Sequence, residues 1–85
     1  MELVLRVTEE NKNCGVWIGI GTTKKTHDGI TSQIIYSSLI VTDNEERAIG
    51  MHSKRISALY PNKDGWSVPE ITVHKQNEFK TEVIK

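Results

Sequence analysis

Three histidines, His27, His52 and His74, and one cysteine, Cys14, are the side chains of this 85-residue sequence best suited to move a proton or attack an electrophile. Phosphodiester cleavage of the small-ribonuclease kind needs a general base, a general acid and a cation that holds developing charge. The histidines with Lys54 or Arg55 supply those residue types. No spacing ties them into one motif. His27 falls in a polar stretch, His52 near a helix start and His74 in a strand-like run. Cys14 stands between Asn13 and Gly15 with no base beside it in the sequence, whereas a nucleophilic thiol needs an activating neighbour. One cysteine and three separated histidines give no ligand pair at zinc spacing, so no metal is expected. Gly19-Ile20-Gly21 lacks the third glycine of a dinucleotide loop, and no Gly-Lys-Ser/Thr triplet occurs. The sequence therefore favours binding over catalysis and implies no cofactor.

The stretch from Arg47 to Lys63 carries a clearer signal. It holds Arg47, His52, Lys54, Arg55 and Lys63 and no Asp or Glu. Tyr60 lies inside it and Trp66 just beyond. RNA recognition needs cations for phosphates and flat rings on which unpaired bases stack. If a helix begins near Ser53, Lys54 and Arg55 occupy its first turn, where the dipole disfavours cations. An anion held by the free N–H groups of that turn would offset this. The alternative is a solvated helix face. Both readings stay open for the basic residues, while the two rings fit a core role better. Lys24-Lys25-Thr26-His27 is a second basic spot, and the sequence leaves open whether the two meet in space.

The elements that must position these residues follow from periodicity. Leu3, Leu5 and Val7 alternate with Val4, Arg6 and Thr8, which predicts a strand. A turn over Glu9–Asn13 and a second strand over Val16–Gly21 suit an antiparallel hairpin. Thr23–Gly29 reads as a polar loop. Ser32–Thr42 reads as a long strand, central because both faces carry apolar side chains. Asp43-Asn44-Glu45-Glu46 admits two readings. Asp43 could cap a helix, with Glu46 completing a capping box. Alternatively these residues turn into a short strand over Arg47–Met51, with a helix only from Ser53. Gly50 tilts the choice to the second, since it costs a helix interior about 1 kcal/mol. Pro61 ends the helix at Tyr60 in either case. Asn62–Gly65 is a turn, Trp66–Val68 and Ile71–Lys75 are extended, and Phe79–Ile84 is a last strand. The expected architecture is α+β: a small, mainly antiparallel sheet of about five strands with one helix near residues 53–60.

Size and composition set the frame. A chain of 85 residues is expected to form a single domain over 1–85. Its expected radius of gyration is about 12 Å and its folded surface roughly 5,000 Å². That leaves little room for a deep cleft beside a core, which argues for a flat or convex binding surface. Lys plus Arg and Asp plus Glu number 11 each, so the net charge is zero. This excludes an acidic nucleic-acid mimic and a protein held to nucleic acid by bulk charge; an electrostatic site must come from local segregation. The single cysteine forms no internal disulfide. No signal-peptide pattern and no membrane-length apolar run appear, so the cytoplasm, or a host cytoplasm, is the expected compartment and no membrane is a partner. A long strand at a sheet edge could pair with its copy to give a homodimer, but the sequence does not locate the edge.

The stretch Gly50-Met51-His52-Ser53-Lys54-Arg55-Ile56-Ser57-Ala58-Leu59-Tyr60-Pro61, on a chain of this length, resembles the small host-takeover proteins of T-even phages. Within them it is similar to the TifA-type RNA-binding inhibitors of the ToxN endoribonuclease toxin. The resemblance implies a counter-defence protein that binds RNA and a toxin nuclease together. Lys54, Arg55, Arg47, Lys63, His52, Lys24 and Lys25 are then the candidate RNA contacts, with Tyr60 and Trp66 as stacking rings. A small ribonuclease using the histidines, and a protein-only inhibitor without RNA contact, are the alternatives.

Overall fold

The computed structural model describes residues 3–84. The chain runs β1 (Leu3–Val7), β2 (Gly15–His27), β3 (Ile30–Thr42), α1 (Glu45–Leu59), β4 (Glu70–Gln76) and β5 (Phe79–Val83), with 3-10 turns at Glu9–Asn11 and Asn62–Asp64. The class is α+β, as the patterning implies. The strands form two sheets rather than one. β2 lies between β3 and β4 in an antiparallel sheet, and β1 pairs with β5 in a separate parallel ribbon.

The β2–β3 hairpin dominates the molecule. Thirteen pairs run from Gly15↔Thr42 to His27↔Ile30. The two-residue turn is Asp28-Gly29, with φ of 52° and 78°. Positive φ at both positions matches the twist of the flanking strands, and Asp-Gly is a favoured pair for it. The expected loop over Thr23–Gly29 is therefore strand up to His27. Thr23 and Lys25 turn to the side covered by Trp66 and Ser67, and Lys24, Thr26 and His27 are exposed. β4 pairs with β2 only from Val16↔Gln76 to Thr22↔Glu70, so the hairpin extends beyond the third strand, with Ser67 alongside it at Lys24. This reach gives extents of 56 × 26 × 16 Å and a radius of gyration of 15.9 Å. The sequence-based value of about 12 Å assumed a sphere-like chain.

Three further expectations change. β1 does not form a hairpin with β2. The 3-10 turn at Glu9–Asn11 carries the chain away, and Leu3↔Phe79 through Val7↔Val83 form the parallel register instead. β3 is an edge strand, not a central one. Its two apolar faces misled, because only one of them is covered. The helix begins at Glu45, with no strand over Arg47–Met51. Asn44 caps it by accepting from Arg47 N at 2.8 Å. Glu45 and Glu46 in the first turn complement the dipole. Gly50 faces open space, so its propensity cost stands alone and the buried stripe outweighs it. That stripe is Ala48, His52 and Ile56, spaced four apart. The expected stop holds: α1 ends at Leu59 with Tyr60 as its C-cap.

α1 packs on one face of the three-stranded sheet, where Ile40, Ala48, His52, Ile56 and Thr23 are buried. Gly19 and Gly21 on β2 lie directly beneath His52 and Ile56. Paired residues share a face and neighbours alternate, so Ile18, Ile20, Thr22, Ile35, Ser37 and Leu39 point away from the helix. Val16 also faces that way and is buried, near the point where Thr81 Oγ1 donates to Cys14 O at 3.3 Å. No helix among the described residues is long and apolar enough to cross a membrane.

Candidate nucleic-acid interface

His52 is fully buried. Its Nδ1 lies 2.8 Å from Ser38 Oγ, its Nε2 lies 3.1 Å from Tyr36 O, and its ring stacks on Tyr36 with centroids 5.4 Å apart. Arg55 Nη1 donates to the same Ser38 Oγ at 3.1 Å and to Leu39 O at 2.7 Å. A guanidinium only donates and a carbonyl only accepts, so the serine oxygen accepts from Arg55 and Nε2–H donates to Tyr36 O. This chain fastens α1 to β3. It also places His52 inside the packing, out of reach of a nucleic acid, and gives the Arg55 guanidinium two partners within the fold. The aliphatic periodicity of α1 did not reveal this, because an imidazole took the place of an apolar residue in the stripe.

The remaining basic candidates divide by position. Arg47 stands in the first turn of α1 and pairs with Asp43 Oδ1 at 3.2 Å. Lys54 is exposed in the middle of α1, so it is not in a first turn and no helix N-terminus lies beside it. His27 sits at the hairpin tip, 3.2 Å from Asp28 Oδ2. His74, paired with Ile18, lies on the sheet face opposite His52. The three histidines thus occupy three separate places.

Lys24 and Lys25 do meet the end of the basic stretch. Beyond Thr22, where β4 leaves β2, Ser67 continues the pairing. Ser67 N donates to Lys24 O at 2.8 Å, Lys24 N to Ser67 Oγ at 3.0 Å, and Thr23 Oγ1 to Ser67 O at 2.7 Å. The turn before it is set by Gly65, whose φ of 97° favours a residue without a side chain. Asn62 Nδ2 closes that turn on Trp66 O at 2.8 Å. As a result Lys25 Nζ lies 5.7 Å from the centre of the Trp66 ring. Tyr60 meets Trp66 edge-to-face at 5.1 Å. Both rings are half-buried, and Lys63 is exposed between them along the chain. Lys25 of the hairpin and the Tyr60–Trp66 pair therefore share one surface near the C-terminal end of α1, while Lys24, one residue before it, alternates to the opposite sheet face. Arg47 lies a helix length away, about 20 Å from Tyr60 at the α-helical rise.

No protein-family model, no curated protein and no solved structure matches this chain. A shallow cavity of about 330 Å³ lies over the β1–β5 ribbon, lined by Arg6, Glu82, Val83 and Ile84. It holds none of the histidines and none of the basic cluster.

Proposed function

We propose that this chain is a non-enzymatic RNA-binding protein that acts in a cytoplasm, in the manner of a phage inhibitor of a host endoribonuclease toxin. The observation that carries the RNA reading is Lys25 Nζ lying 5.7 Å from the centre of the Trp66 ring, with Tyr60 edge-on to that ring and Lys63 exposed in the turn between them. Cations serve phosphates and rings serve unpaired bases, so single-stranded RNA is the chemistry this surface fits. The separation of His27, His52 and His74 supports binding rather than cleavage, because acid, base and cation must act on one phosphate. The inhibitor role rests on the resemblance of the central stretch to the phage proteins.

The test is incubation of purified protein with labelled single-stranded RNA. Retention of intact RNA, weakened by about 1–3 kcal/mol in Trp66→Ala, is the expected result. RNA cleavage that survives repurification and disappears in His27→Ala or His74→Ala would replace binding with catalysis. Absence of binding at low salt would leave inhibition through protein contacts alone.

A further inference from the structure

We infer that the sheet face turned away from α1 is the contact surface of a homodimer, with a second copy of this chain seated on the β3 side. On that face Ile35, Leu39 and Val41 are 68%, 63% and 46% exposed, and Ile20 of β2 lies beside them. Monomeric proteins rarely leave so continuous an apolar stripe to water.

The two edges of the sheet are built differently. β4 carries Glu70, His74 and Lys75 in seven residues. β3 carries no charged residue, no proline and no glycine in thirteen. Charges and prolines are the usual guards against association through an edge strand; β3 has neither within its length, and the Arg55 guanidinium of α1 reaches it at Ser38 and Leu39 O.

The charge-free strand also argues for the identity of the occupant. A two-fold axis sets each residue near it against its own copy, so any charge there meets a like charge. β3 is a surface where self-contact brings apolar side chains together with no such repulsion. This inference does not depend on the RNA reading.

Mass measurement by light scattering or sedimentation decides it. The intact protein is expected at twice its 9.6 kDa chain mass. The double variant Ile35→Lys/Leu39→Lys is expected at the single-chain mass with unchanged circular dichroism. A single-chain mass for the wild type at every concentration overturns the inference and leaves the face to some other partner. A folded double variant that stays at twice the chain mass overturns it equally. Should the variant not fold, hydrogen exchange of the wild type decides. Protection across Thr31–Val41 that rises with protein concentration supports the dimer, and protection independent of concentration contradicts it.

Discussion

A Cβ on Gly19 would stand 2.7 Å from both Cγ and Nδ1 of His52, so the strand and the buried ring meet at a separation that only glycine permits. The ring has no freedom to retreat, because Ser38 and Tyr36 O hold both of its nitrogens. Gly19→Ala should therefore destabilise the protein by about 1–3 kcal/mol, the usual range for overpacking a core. Gly50→Ala should do the opposite. Gly50 sits in α1 with nothing near its Cα hydrogen, and alanine there should add roughly 0.5–1 kcal/mol. Urea unfolding midpoints of the two variants, compared with wild type, check both signs.

Ser38→Ala removes the link between Arg55, His52 and β3. It leaves a buried ring nitrogen without its partner, which should cost about 1–3 kcal/mol. Arg55→Ala should cost less, because the serine and its bond to His52 remain. Equal losses, or a larger loss at Arg55, would show that the guanidinium rather than the hydroxyl fastens the helix. Chemical denaturation with both single variants measures the order.

Much of this fold was legible from alternation. Leu3–Val7 is a strand where the period of two placed it, the expected Phe79–Ile84 strand runs to Val83, Ile71–Lys75, read as extended, lies in β4, and Tyr60-Pro61 stops the helix as expected. What the periodicity did not contain was partnership. A run such as Ser32–Thr42, apolar on both sides, has the same pattern whether a neighbour covers both faces or one. The parallel pairing of β1 with β5 joins residues about 76 apart, and no local signal specifies it. Gly50 reads as a helix breaker, yet its cost near 1 kcal/mol is small beside the burial of Ala48, His52 and Ile56. At the candidate site, residue type alone offered Lys24, Lys25, Lys63, Tyr60 and Trp66 as candidates. It could not separate them from His52 and Arg55, whose polar atoms are turned to the fold. The signal that would have done so is the four-residue spacing Ala48, His52, Ile56, which puts the histidine on the buried stripe.

The start of α1 offers a clean contrast between two adjacent residues. Asn44 accepts from Arg47 N at 2.8 Å, whereas Asp43 makes an exposed ion pair with the Arg47 side chain. Asn44→Ala should cost about 1 kcal/mol, the typical worth of an N-cap. Asp43→Ala should cost at most a few tenths, as exposed pairs do. Thermal unfolding of the two variants checks this. A larger effect at Asp43 would mean that the helix starts one residue earlier in solution.

The affinity of the protein for single-stranded RNA as a function of salt tests the central claim most directly. With Lys24, Lys25 and Lys63 contacting phosphates, log affinity should fall against log salt with a slope near −2. Lys24→Ala/Lys25→Ala should reduce the size of that slope by about 1.4, because each lost contact no longer releases its counterion. Arg47→Ala, at the far end of α1, should leave the slope unchanged. An affinity indifferent to salt, or a folded Lys24→Ala/Lys25→Ala variant that binds RNA as the wild type does, would contradict the account.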